Sequence, residues 1–207
     1  MKGLLLKDFY MLKNLRAFIL FMVIFLIVSA FSSENMFMLF YPCVLAGIIP
    51  VSLLGYDERS KWDKYSLALP YTREQIVSAK YLMGLIIQLT VLLFAAITQI
   101  FYMKNNGGFN GQGFLILFST LSALSFFTSS ISLPFMFKWG VEKGRMVYYI
   151  MIGLACGSSV LVADMFTENI IPTDTATVTF PILVLISIAI FALSWYLSII
   201  FFRKREF

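Results

Sequence analysis

Histidine is absent from the sequence, and cysteine occurs only twice, at Cys43 and Cys156. Without histidine there can be no Ser-His-Asp triad, no His-based zinc site and no haem held by a His ligand. Both cysteines sit in apolar runs. They supply neither a disulfide framework nor a Cys-rich metal site, and read as small buried hydrophobes. Charge is scarce too: Asp, Glu, Lys and Arg make up 13% of the chain, against about 25% in an average soluble domain. What fills the space is apolar. Hydrophobic residues reach 60% of 207 positions and the mean hydropathy is +0.87. A soluble chain of this length leaves about 30% of its unfolded surface in water, too much to hide such an excess. The composition therefore implies an integral membrane protein and excludes a single soluble catalytic domain.

A membrane-spanning helix needs about 20 largely apolar residues. Six segments qualify, at 17–32, 36–54, 76–103, 113–137, 146–163 and 180–202, with only Ser33–Asn35 linking the first two. An even number of spans puts both termini on one side. All basic residues but Lys104 fall on that side, giving it a formal charge of +8 and the other side −3. The excess of Lys and Arg marks the cytoplasmic face. The net +5 is thus a topology signal; no long soluble basic surface offers itself to nucleic acid. Tyr81, Trp139, Tyr148 and Tyr149 fall at cytoplasmic span ends, where amphipathic rings gather. Lys2 and Lys7 ahead of an apolar stretch, with Val28-Ser29-Ala30 behind it, mimic a secretory leader, but the stretch is read as the first span. Residues 1–16 read as an interfacial helix leading into it, with Leu5, Phe9 and Leu12 on its apolar face.

No Asp, Glu, Lys or Arg lies well inside a span. Ion-coupled carriers and voltage sensors keep ionisable groups at depth, so both are disfavoured. Matching Gly/Pro breaks, as in carriers with broken helices, are also missing from the third and fourth spans. The polar residues at depth are neutral. Ser122, Ser125, Ser129 and Ser132 share one face of the fourth span, Gln88 and Gln99 one face of the third, and Ser187, Ser194 and Ser198 one face of the sixth. Such faces serve either close helix packing or the lining of a path. Gly153 and Gly157 form a GxxxG pair suited to a helix contact, within the chain or between two copies. Pro134 predicts a kink or break in the fourth span. The Gly-rich stretch 107–113 lacks the Lys and Ser/Thr of a phosphate loop and reads as an outer loop. Gly157-Ser158-Ser159 has no His, nor a Lys at depth, to activate a serine.

The largest cytoplasmic piece between spans, residues 55–80, carries the most information, above all in 55–71. Asp57 to Ala68 suits a short helix, with Asp57 and Glu58 at its N-terminal end and Trp62, Tyr65 and Leu69 in an apolar stripe. Pro70 ends it. Thr72 and Gln75 form a capping box that starts the next helix, which projects beyond the membrane because about 32 residues reach about 48 Å against a hydrocarbon core of about 30 Å. The aromatic stripe suits lipid headgroups or a groove on a cytoplasmic partner.

Six spans, the opening Met1-Lys2-Gly3-Leu4-Leu5-Leu6-Lys7-Asp8, and Glu58-Arg59-Ser60-Lys61-Trp62-Asp63-Lys64-Tyr65 followed by Leu69-Pro70 and Arg73 resemble the ABC-2 type transporter permeases. The nearest likeness is to the small Gram-positive branch that exports phenol-soluble modulins and bacteriocin-like compounds. The resemblance covers essentially the whole chain, and Glu-x-x-Lys-Trp-Asp-x-Tyr-x-x-x-Leu-Pro is its most specific part. It implies one transmembrane permease domain over 1–207: all-α and polytopic, with six transmembrane helices, an N-terminal interfacial helix, and a cytoplasmic coupling helix between helices 2 and 3. It implies a pair of permeases, this chain with a second copy or a sister chain, set in membrane lipid. Each would bind a separate ABC ATPase, which holds the ATP and Mg; this chain would carry no cofactor, metal or catalytic residue of its own. The ATPase-coupling residues would be Glu58, Lys61, Trp62, Asp63, Lys64, Tyr65, Leu69 and Pro70. Lys138, Glu142, Lys143 and Arg145 would form a second, smaller contact. The outer segment 164–179 occupies the place of the family's short re-entrant helices. Alternatives are a stand-alone carrier or channel, and a non-transporting scaffold or immunity protein. Neutral Ser and Gln faces with 22 Phe suit an amphipathic peptide, antibiotic or other lipophilic cargo, although Phe also simply faces lipid.

Overall fold

Long apolar runs without water to hydrogen-bond their backbone must satisfy it internally, and a helix does so within one segment. The computed structural model accordingly places nearly all the described residues, 2–31, 36–66, 70–105, 111–144, 146, 149 and 173–204, in helices. Helix α1 is Lys2–Leu12, followed by a 3₁₀ turn, Lys13–Leu15, and by α2, Arg16–Phe31. Then come α3, Met36–Arg59; a five-residue α4, Trp62–Ser66; α5, Arg73–Asn105; α6, Gly111–Trp139; and α7, Thr173–Lys204. Among the described residues, five stretches are long and apolar enough to cross a membrane: Lys2–Ala30, Leu39–Arg59, Arg73–Asn105, Gly111–Trp139 and Ile182–Lys204. The protein is a multi-pass, all-helical membrane protein. Apart from Met146 and Tyr149, the expected fifth span, with Gly153 and Gly157, lies outside the described residues, as do Arg145, Leu69, most of the outer segment, and the side chains of Asp63 and Lys64.

Helix α3 is the most enclosed of the five and α2 the least. Helix α3 packs on α6, α5 and α2, while α6 lies along α7. Two glycines set the closest approaches. A Cβ at Gly47 would lie 2.9 Å from Thr128 Cβ and 3.0 Å from the Ser125 carbonyl, so α3 meets α6 backbone to backbone. A Cβ at Gly84 would lie 2.7 Å from the Pro50 ring, which seats α5 against α3. Small residues at such crossings take the place of the hydrophobic drive that lipid does not provide. Outward faces are apolar throughout, with Leu20, Ile24 and Ile27 on α2, Leu89, Leu93 and Ile97 on α5, and Leu185 and Leu193 on α7 exposed. Lipid is the natural solvent for these faces.

Four sequence expectations need correction. The short helix does not begin at Asp57. Nothing in residues 55–59 stops the preceding helix, so Asp57 and Glu58 become the last turn of α3. The chain then reverses where Ser60 N–H donates to the Tyr56 carbonyl (3.0 Å), Lys61 N–H to the Glu58 carbonyl (3.1 Å), and Lys61 takes a φ of 54°. This left-handed residue ends the helix much as a C-terminal glycine would. On α1 the inward side is Leu4 and Asp8, with Leu5, Met11 and Leu12 partly buried, whereas Phe9 is 61% exposed. Tyr81 is not an interfacial ring; it is fully buried. Of the kink or break expected at Pro134, the break does not occur: α6 runs on to Trp139. Proline removes the N–H that would have bonded the Ser130 carbonyl, and Ser194 Oγ–H on α7 donates to that carbonyl at 2.7 Å instead. The capping box, by contrast, forms as expected: Thr72 N–H donates to Gln75 Oε1 (3.2 Å) and Gln75 N–H to Thr72 Oγ1 (3.3 Å).

Candidate functional site

The densest polar structure lies at one end of the bundle, where α1, the end of α3 and the start of α5 meet. Lys80 is fully buried and its ammonium donates to Asp8 Oδ1 at 2.6 Å and lies 2.7 Å from Asp57 Oδ2. Lys7 donates to Asp57 Oδ1 at 2.6 Å and lies 3.5 Å from Asp8. Two lysines and two aspartates thus form a neutral quartet in which each carboxylate is shared by both ammonium groups. Burying four charges is tolerable only because each is paired and hydrogen-bonded. Sequence reading missed the quartet. A signal was present: Asp8 lies four residues from both Leu4 and Leu12, on an apolar face, and Lys80 lies four from Ile76 and Gly84. A charge aligned with an apolar stripe needs a partner from elsewhere.

The short helix α4 sits on the open side of this quartet. Lys7 Nζ lies 4.3 Å from the centroid of the Trp62 ring, within cation–π range. Trp62 is half-buried and packs against the core, while Tyr65 is 67% exposed. The two rings expected to share one docking stripe therefore divide: Trp62 faces the fold and Tyr65 faces away from it. Lys61 and Pro70 are exposed. Glu58 faces inward, and its Oε2 accepts the Val141 backbone N–H at 2.6 Å. Gly140, with a φ of 82°, turns the chain there, and 141–144 is helical. Glu58 therefore caps that helical turn and ties the two expected contact regions, 55–71 and 138–145, into one edge. A carboxylate at a helix start meets unpaired N–H groups and the positive end of the dipole. Lys138, Glu142 and Lys143 are exposed on this edge, with Lys138 Nζ over the rings of Trp139 (5.2 Å) and Phe201 (5.1 Å). The last turn of α7 joins the same end. Arg73 donates to the Phe202 and Arg203 carbonyls (3.2 and 2.8 Å), and Arg203 pairs with Glu74.

At membrane depth the neutral polar residues converge between helices. Gln88, Ser125 and Ser129 are wholly buried, and Gln88 Nε2 donates to the Ser125 carbonyl (3.2 Å) and to Ser129 Oγ. Gln88 Oε1 and Ser125 Oγ have no hydrogen-bond partner among the described residues. Ser122 and Ser132 hydroxyls return to carbonyls of their own helix, those of Ser119 and Thr128. Gln99 is buried on the same face of α5 as Gln88. A second knot joins α5, α6 and α7. Tyr81 OH lies 2.8 Å from Ser194 Oγ and 2.7 Å from Ser198 Oγ, and its ring stacks on Trp195 at 5.5 Å. With Ser194 donating to the Ser130 carbonyl, Tyr81 donates to Ser194. Trp195 Nε1–H donates to Ser78 Oγ at 3.1 Å.

An all-helical bundle of long apolar helices carries this charged edge, and the family described as ABC-2 family transporter protein matches residues 3–203. The chain belongs to that family. Its ABC-2 membership makes it a membrane transport component rather than an enzyme, of a kind that normally works with ABC ATPase partners. No curated protein and no solved structure matches this ABC-2 chain.

Proposed function

We propose that the chain is the permease subunit of an ATP-driven exporter. Two permeases, identical or sister chains, form the path in the plasma membrane with both termini in the cytoplasm. Separate ABC ATPases hold ATP and Mg and dock on the edge built from α4 and 138–144. An amphipathic peptide, antibiotic or other lipophilic compound is the cargo class that the neutral Ser and Gln faces suit. The observation that carries the reading is the Glu58–Val141 bond, because it makes one continuous edge of the two segments that the family's architecture would give to the ATPase. Tyr65 is the exposed aromatic anchor on that edge, as hot spots favour. Arg59, Lys61, Lys138 and Lys143 make it basic, so the partner's groove should be acidic.

Co-expression with a candidate partner ABC ATPase tests the proposal. Tyr65→Ala combined with Lys61→Glu should weaken co-purification by about 30-fold, the loss of one hot spot of about 2 kcal/mol. Unchanged complex formation would end the docking assignment. Flux in liposomes without ATP or a partner would favour a stand-alone channel or carrier.

A further inference from the structure

The quartet is larger than a helix crossing requires, and its placement suggests a use. Resting on the docking role proposed for α4, we propose that Lys7, Asp8, Asp57 and Lys80 form a joint that makes α1, the end of α3 and the base of α5 move as one block when α4 is pushed, with Lys7 as the positioning residue that couples Trp62 to that block.

Three observations carry this. First, the charges are shared rather than paired: Asp57 bridges Lys7 and Lys80 through its two oxygens, and Asp8 Oδ1 faces both lysines. Pulling α3 or α5 away strands Asp57 or Lys80 as an uncompensated charge, and pulling α1 away breaks its two shortest ion pairs, Lys7–Asp57 and Asp8–Lys80 (both 2.6 Å), so the three segments resist separation and travel together. Second, Lys7 is the member that reaches outward. Its side chain is 21% exposed, against 1–3% for the other three, and its ammonium touches both Asp57 and the Trp62 ring. A displacement of Trp62 therefore loads the quartet directly. Third, the segments held by the quartet lead into the membrane. Helix α1 passes through the 3₁₀ turn Lys13–Leu15 into α2, and α5 has 33 residues, or about 50 Å. Movement at the base of either reaches helices at full membrane depth. Packed elements with discrete arrangements are what carries coupling between distant sites.

The test uses the full chain with its ATPase subunit in lipid nanodiscs. Spin labels at Tyr10→Cys on α1 and Phe127→Cys on α6, both exposed positions, are placed on a Cys43→Ala, Cys156→Ala background. The change in inter-label distance on trapping with ATP and vanadate is the readout. Lys7→Met should cut that change about fivefold, a modest coupling energy, while ATPase binding stays within about twofold of the parent. Lys7→Arg should restore it, because guanidinium keeps both the charge and the ring contact. Should Lys7→Met fail to elute as a single species, Lys7→Gln carries the same test, since it removes the charge and keeps a hydrogen-bond donor for Asp57. A full distance change in both variants, or no change in the parent, overturns the joint. Normal ATPase binding to the Tyr65→Ala, Lys61→Glu protein would instead overturn the docking site alone, leaving the Lys7 result to judge the joint.

Discussion

Replacing Lys80 by methionine should be among the most destabilising single changes in this protein. The substitution keeps a long apolar stem and removes one ammonium. Lys80 has a side-chain exposure of 3% and stands 2.6 Å from Asp8 and 2.7 Å from Asp57. After its removal two buried carboxylates share one cation, Lys7, which is 2.6 Å from Asp57 but 3.5 Å from Asp8. Breaking a buried pair by removing one partner costs about 3–5 kcal/mol, mostly because the other charge is left uncompensated. Each kcal/mol lowers Tm by about 2–4 °C in a chain of 150–250 residues, so a fall of about 6–20 °C is expected. Thermal unfolding of the detergent-purified protein measures it. Adding Asp57→Asn leaves Lys7 with Asp8 and restores neutrality. The double variant should therefore recover a substantial part of the loss, a non-additivity of about 0.5–3 kcal/mol. Lys104→Met, an exposed residue at the opposite end of α5, is the control and should stay within about 0.5 kcal/mol of the parent. The reasoning fails if Lys80→Met melts within about 2 °C of the parent, or if the double variant is less stable than the single.

Two packing predictions accompany it. Gly47→Ala should cost about 1–3 kcal/mol, because the new methyl meets Thr128 Cβ and the Ser125 carbonyl and α3 must retreat from α6; an unshifted melting curve would show that the crossing is looser than the geometry implies. Ser194→Ala should cost about 1–2 kcal/mol in the parent, since it strands the Ser130 carbonyl and removes a Tyr81 partner. On a Pro134→Ala background the cost should shrink, because that substitution restores a backbone N–H able to bond the same carbonyl; equal costs in both backgrounds would refute the compensation.

Much of the charged edge was readable residue by residue. Thr72 and Gln75 form their box because capping is a four-residue affair, written in adjacent side chains. Gln88 and Gln99, and the serines of α6, fall on buried faces because helical period alone fixes which residues share a side. The boundary of the short helix was less legible. Whether Asp57 and Glu58 start a new helix or finish the old one depends on what pairs with their charge, and the donors come from far away in sequence: Lys7 and Lys80 for Asp57, the Val141 N–H for Glu58. Trp62 and Tyr65 look equivalent by spacing and part company only because a core with Lys7 at its rim lies under one of them.

What the amino-acid sequence determined by itself was environment and period: a helical membrane protein, a positively charged side, and the faces each helix turns inward. These follow from composition and from local geometry, which need no knowledge of neighbours. Tertiary structure alone decided which polar groups meet. A carbonyl freed by Pro134 finds Ser194, and an aspartate on the apolar side of α1 finds a lysine 72 residues away. Partners of that kind are chosen by helix packing, and no local pattern records them.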